Sequence, residues 1–170
     1  MRVVKKPSRE LDTIDLNILD VLQRDGRISF TELAAEVGLS TTPCLERVRR
    51  LEEAGVITGY HAEVNPAALG LNLLVFLEVS LRYQSNQAFD DFRKAAQGIP
   101  NLLECHLISG SSDYLLKLRL TDMSEYRYTL GEILSTLPGI QESRSYIVME
   151  EVKSAAPYPT EHRRRALSGH

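Results

Sequence analysis

The sequence predicts an α+β protein of two unlike halves, and three observations carry that prediction. Between residues 11 and 54 apolar residues recur at helical spacing, whereas Leu77, Val79 and Leu81 alternate with Glu78 and Ser80 as in a half-buried strand. Asn65-Pro66-Ala67-Ala68-Leu69-Gly70 has the composition of an exposed linker and separates the two patterns. Beyond it the segments read in the order β-α-β-β-α-β. The expected architecture is an N-terminal winged helix-turn-helix followed by a ferredoxin-like βαββαβ domain. Its expected divisions are a basic N-terminal arm at 1–10, the winged helix-turn-helix at 11–64, a linker at 65–72, the ferredoxin-like domain at 73–153 and a disordered tail at 154–170.

The arm holds Arg2, Lys5, Lys6 and Arg9. From Leu11, the spacing of Leu11, Ile14, Ile18, Leu19 and Leu22 predicts a helix capped by Asp12 or Thr13 and stopped by Gly26. Arg27-Ile28-Ser29 is an extended link, and Ser29 or Thr31 caps a second helix that buries Leu33, Ala34 and Val37. Gly38 can take the positive φ of a sharp turn, Ser40 or Thr42 can cap a third helix, and Pro43 falls in its first turn, where a missing N–H costs nothing.

In that third helix Leu45, Val48 and Leu51 form a narrow apolar stripe. Thr42, Glu46, Arg47, Arg50 and Glu53 then fan over the opposite face, with Arg49 at its edge. Taken alone, three arginines in four positions also fit a solvated face paired with Glu46, Glu52 and Glu53. A capped helix after a tight glycine turn, with arginines outward, fits insertion into double-stranded DNA. Thr42, Glu46, Arg47 and Arg50 are the expected base-reading positions, with Ser40, Thr41 and Arg49 closer to phosphate. After Gly55, VITGYHAEVN predicts a β-hairpin or wing about Thr58-Gly59.

In the second half, Leu73–Leu81 and Tyr114–Leu120 read as strands, as do 102–108 and 140–152; helices are expected over 84–97 and 123–137. Such a sheet leaves one face without helices. The apolar residues of LLVFLEV and YIVMEEV then call for a second layer, which predicts sheet-to-sheet dimerisation.

Net charge is −3, and residues 1–60 hold nine Lys/Arg against ten Asp/Glu, so phosphate affinity must come from local placement. So few cations favour an oligomer that presents several copies. No apolar run approaches the ~18 residues of a membrane span, and the first residues lack an apolar signal-peptide core; the expected compartment is the cytoplasm, with no membrane partner. Cys44 and Cys105 lie far apart with no metal-ligand spacing, so both are read as small buried hydrophobes, and neither metal nor cofactor is expected.

Several ordered segments resemble one family: LDTIDLNILDVLQRDGRIS, ELAAEVGLSTTPCLERVRRLEEAGVITGY, LLECHLISGSSDYLLK and PGIQESRSYIVMEEVK. Over about residues 8–153 the chain resembles the Lrp/AsnC family of bacterial and archaeal feast/famine regulators. The resemblance implies a regulator of amino-acid metabolism genes, associated with the nucleoid, that dimerises through its C-terminal sheets and assembles further, often to octamers. It also implies an amino-acid effector, leucine or alanine foremost, at boundaries between dimers. The family's effector-response positions fall on Leu107, Gly110, Asp113, Met123, Tyr146, Ile147 and Val148, and its G-x-x-D-Y pattern on Gly110-Ser111-Ser112-Asp113-Tyr114.

Chemistry gives those positions content. An amino acid needs an acidic acceptor for its ammonium and N–H donors for its carboxylate. Asp113 suits the first and the Gly110–Ser112 turn the second, with Leu107, Met123 and Ile147 around an aliphatic side chain. Without the resemblance, Asp113 reads as a turn cap and Met123 as core. A different class, an amino-acid-binding module or enzyme on a ferredoxin-like sheet, would rest on His106 with Ser109, Ser111 or Asp113. That set lacks a readable nucleophile–base–orienter arrangement.

Overall fold

The computed structural model describes residues 10–154, 156–161 and 164–165; residues 1–9 of the basic arm at 1–10, and 155, 162–163 and 166–170 of the tail, lie outside the described residues. They divide into two compact units. One runs to Glu63 and takes in the described tail from Lys153, and the other is Val64–Val152.

In the first unit, α1 (Thr13–Arg24), α2 (Phe30–Glu36) and α3 (Thr41–Glu53) pack around Ile18, Leu33, Ala34, Cys44, Val48 and Leu51. Asp12 caps α1 in a reciprocal capping box with Asp15, and Ser29 caps α2 in the same way with Glu32. Gly38 turns the chain into α3 at φ 72°, where a Cβ would be strained. Gly55 ends α3 in the same left-handed region, at φ 68°. The hairpin expected at 56–65 does not form: the chain there is irregular, without strand pairing. Tyr60 ties it to α3 instead, its hydroxyl donating to Glu52 at 2.9 Å. A single aromatic anchor replaces the ladder.

The tail also departs from expectation. Rather than disordered, its described residues lie along α1. Gln23 exchanges two hydrogen bonds with the Tyr158 backbone (2.7 and 3.2 Å), and Thr160 donates to Asp20 at 2.9 Å. Arg164 reaches Asn17 at 2.7 Å and also pairs with Asp20. Together the tail, α1 and the 56–60 segment line an open, largely apolar groove of about 480 Å³, walled by Leu16, Leu19, Leu22, Val56, Ile57 and Tyr158. Three polar side chains of one turn after another on α1 supply the partners, so a polar tail needs no core of its own to be held.

In the second unit the expected linker folds into a 3-10 turn, Pro66–Leu69, capped by Asn65. Then follow β1 (Leu73–Leu81), α4 (Asn86–Ala96), β2 (Leu102–Leu107), β3 (Tyr114–Leu120), α5 (Met123–Thr136) and β4 (Ile140–Ile147). Strand order is β2-β3-β1-β4, all neighbours antiparallel, the ferredoxin-like topology. Strand β4 stops at Ile147, five residues short of its expected end. Val75, Leu77, Val79 and Leu81 face the helices together with the even-numbered residues of β3, and Phe92 of α4 stacks on Tyr114 at 4.1 Å between ring centroids.

The helix-free face is more polar than the sequence suggests. Period-2 alternation sends most of LLVFLEV into the core and leaves Leu74, Phe76 and Leu115 among Glu78, Lys117, Arg119 and Arg144. YIVMEEV mostly lies past the end of β4, where Met149 and Val152 are exposed. Cys44 is buried as expected, but Cys105 is exposed, because β2 is an edge strand open along most of its length.

Candidate functional site

The first site is α3. Its buried residues are Cys44, Val48 and Leu51, and Leu45 is only partly covered. At about 100° per residue, replacing Leu45 by Cys44 turns the inward face by roughly 30°. Arg47 then lies about 70° from the centre of the core face, and Arg49 about 130°. The structure places the three arginines in different surroundings. Arg49 stands on the outward face with Thr42, Glu46 and Glu53, all exposed, and makes no ion pair among the described residues. Arg47 is turned toward α1: its Nη1 donates to Asp12 Oδ2 and to Asp15 Oδ1, each at 2.7 Å, and its side chain is 22% exposed. Arg50 divides its reach, 3.1 Å from Asp15 Oδ1 yet 41% exposed.

Ser40 is the N-cap of α3 but makes no side-chain cap bond, and no acidic residue occupies the first turn. Its hydroxyl, Thr41 and the first N–H groups of the helix therefore face outward without an internal anion, the arrangement that favours a phosphate. Glu52 is withdrawn by Tyr60, whose phenol is pushed up to about 12 by burial and then by that carboxylate.

The second site is the set of effector positions, and the register divides it. Leu107 pairs with Tyr114, Tyr114 with Val79, and Asp113 N–H donates to Val79 O at 3.0 Å, so Leu107, Gly110 and Asp113 gather where β1 ends. Ile147 pairs with Val75, Val148 N–H donates to Leu74 O, and Met123 follows β3 at that same opposite end. Six residues at ~3.3 Å rise separate Val75 from Leu81, so the two groups stand roughly 20 Å apart in one chain. Tyr146 lies on the helix-free face and donates to Glu78 at 3.2 Å.

Asp113 does not present a free carboxylate. It is 8% exposed; Oδ2 accepts the Leu81 N–H at 2.7 Å and Oδ1 accepts Gln84 Nε2 at 2.9 Å. Both oxygens fasten the end of β1 rather than waiting for an ammonium, which also differs from a simple cap on its own turn. Beside the turn, Glu78, Ser80, Ser111, Ser112, Glu142 and Arg144 line a polar cleft of about 30 Å³, water-sized rather than amino-acid-sized. His106 contacts Glu104 at 2.9 Å, not Ser109, Ser111 or Asp113. Among the described residues no cluster of His, Cys, Asp or Glu could hold a metal ion, and no helix is long and apolar enough to cross a membrane.

Comparison with known proteins decides the kinship. Residues 11–58 match a winged helix-turn-helix DNA-binding model, and 74–158 match the Lrp/AsnC ligand binding domain. The chain belongs to the Lrp/AsnC family. It is 55% identical over 151 residues to the leucine-responsive regulatory protein of Escherichia coli K12 and equally to that of Salmonella typhimurium, covering 89% of this chain and 92% of each relative. A transcriptional regulator of Neisseria meningitidis, solved as an L-Met complex, superposes with TM-score 0.85 at 36% identity, over 91% of this chain and 99% of that one. An AsnC family regulator of Agrobacterium tumefaciens superposes equally well, TM-score 0.85 at 30% identity over 89% and 99%. As an Lrp/AsnC protein the chain is a transcriptional regulator with a helix-turn-helix DNA-binding domain and an amino-acid-binding domain.

For this Lrp/AsnC chain, sequence reasoning missed Asp12 and Asp15 as partners of α3, and Glu78 with Arg144 beside the effector turn. A signal for the first existed: the carboxylates and Arg47 and Arg50 share i, i+3 spacing on two helices. The second had none, because Glu78 and Arg144 meet only through the β1–β4 register.

Proposed function

We propose that this regulator binds preferred DNA sites through the outward face of α3 and responds to a small aliphatic L-amino acid held between copies of the chain. Thr42, Glu46 and Arg49 read base edges, Arg50 flanks them, and Ser40 and Thr41 hold phosphate. A bacterial cytoplasmic protein working on nucleoid DNA fits this reading. Dimers form through the helix-free sheet face, where Phe76 and Leu115 supply apolar contact and the surrounding charges set orientation. Dimers then assemble further, to an octamer.

The observation that carries the effector reading is the roughly 20 Å gap between the Leu107–Asp113 group and the Met123–Val148 group. One chain cannot close both groups on a small molecule, but one end of one sheet and the other end of a neighbour's can. Asp113 shapes the turn while Gly110, Ser111 and Ser112 offer N–H and hydroxyl groups. Leucine and alanine lead the candidates, and methionine joins them because the Neisseria relative was solved with it. Calorimetry with these three amino acids, alongside sedimentation with and without the one that binds, tests the proposal. Binding coupled to a change in assembly is expected, with differential affinity of about 1–3 kcal/mol. Tight one-to-one binding to a monomer would overturn it.

A further inference from the structure

We infer that Asp12 and Asp15 act as a built-in substitute for DNA phosphate, holding Arg47 away from the duplex so that sequence preference is not masked by general affinity for polyanions. This rests on the reading of α3 as the DNA-contacting helix. The geometry is a matched pair of i, i+3 spacings, two carboxylates on α1 against two guanidinium groups on α3. Arg47 Nη1 bridges Asp12 Oδ2 and Asp15 Oδ1 at 2.7 Å each, and Arg50 Nη2 adds a 3.1 Å bond to the same Asp15 oxygen. The four charges cancel. Of the three arginines in ERVRR, Arg49 alone offers an undivided positive charge to the outside.

The carboxylates are also fixed in place. Asp12 Oδ1 accepts the Asp15 N–H at 2.8 Å, and Asp15 Oδ2 accepts the Asp12 N–H at 3.2 Å, the capping box of α1. Asp15 is 3% exposed, so it cannot follow its arginines out to solvent. Anions at a helix N-terminus are favoured by the unsatisfied N–H groups and the dipole. Arg47 therefore faces a preorganised anionic pair that a phosphate must outcompete. Partial burial raises the Asp12 carboxyl, yet the Arg47 guanidinium and the Asp15 N–H outweigh it and hold the group below its ordinary range, in keeping with a formed pair.

Consequences follow from counterion release. Each phosphate neutralised adds about 0.9 to the slope of log K against log salt, and that sequence-independent term supplies non-specific binding. Sequestering Arg47 lowers non-specific affinity while leaving base readout to Arg49, which raises the ratio of preferred to random binding.

The test is a salt titration of the full chain on a random-sequence duplex and on a duplex enriched from a random pool by the wild-type protein. Asp12→Asn keeps N-capping ability, and Asp15→Asn keeps shape at the buried position. Either substitution should steepen the salt slope on random DNA, part of the way to the about 0.9 expected when both carboxylates are neutralised, and raise its affinity several-fold, narrowing the preferred-to-random ratio. Adding Arg47→Ala to Asp12→Asn should restore the wild-type slope. Unchanged or shallower slopes, with both affinities falling together, would reduce the cluster to a helix-packing contact. If Asp15→Asn melts early, Asp12→Asn decides alone. Arg49→Ala separates the two readings: its failure to weaken binding undermines α3 as the contact face, whereas normal Arg49 behaviour with unchanged slopes in the Asn variants overturns only this inference.

Discussion

The two candidate sites of this regulator are built in opposite ways. The proposed DNA face is one helix, and its residues Thr42, Glu46 and Arg49 are neighbours because 3.6 residues make a turn. The effector positions span β2, β4, a loop and the start of α5, and they meet or part according to strand register. A local site survives an error of one stripe residue as a rotation. A site spread over a sheet changes membership, as Asp113 and Met123 show by standing at opposite ends.

The sharpest way to test that contrast is Asp113→Ala. We predict a loss of about 3 kcal/mol in unfolding free energy, because the Leu81 N–H and the Gln84 amide both lose their acceptor. Effector response should fall with it. Chemical denaturation of the second unit reads the first effect and calorimetry the second. Full stability with lost response would return Asp113 to direct ligand contact.

Next in size is Arg49→Ala. It should cost about 2 kcal/mol on a preferred site and less on random DNA, with no change in melting temperature, since Arg49 packs against nothing in the core. Mobility shifts on both duplexes measure it. Arg47→Ala should do the reverse: it destabilises the first unit by taking the nearer of two guanidinium partners from the buried Asp15 and leaving only Arg50, while changing base preference less. An Arg47 variant that loses preference at full stability would restore Arg47 to base reading.

A smaller effect is expected at the tail. Gln23→Ala removes two exposed hydrogen bonds to the Tyr158 backbone and should lower stability of the first unit by about 1 kcal/mol, a few degrees in melting temperature. Unchanged melting, with unchanged protease sensitivity after Lys153, would show that the tail is not held along α1.

The smallest is a pH effect. Asp12 is depressed below its ordinary value of 3.8, so its contribution is complete above that pH and is lost as pH falls through the lower folded value. Asp12→Asn should lower stability at neutral pH, where the charged carboxylate contributes in full, and flatten the acid limb of stability against pH. Circular dichroism melts across the acid range check it; an unchanged acid limb would mean that Asp12 titrates alike in folded and unfolded chains.

Helix spans, the capping residues of α1 and α2, the Gly38 turn and the order of strands were legible in the sequence, because each depends on residues within a turn or two of one another. So was the family, carried by contiguous segments. The orientation of α3 was legible only to within about a third of a turn, since Cys44 and Leu45 are both apolar and only packing against α1 and α2 chose between them. The hairpin at 56–65 and the described part of the tail differ from expectation for a related reason: Tyr60 on Glu52, and Tyr158, Thr160 and Arg164 on α1, are contacts between segments distant along the chain or idiosyncratic to one side chain. Period and propensity fix what a segment does by itself. Which carboxylate neutralises Arg47, which strand end receives Asp113, and which effector positions share a neighbourhood depend on three-dimensional register, where charge and hydrogen-bond partners are chosen by proximity rather than by spacing along the chain.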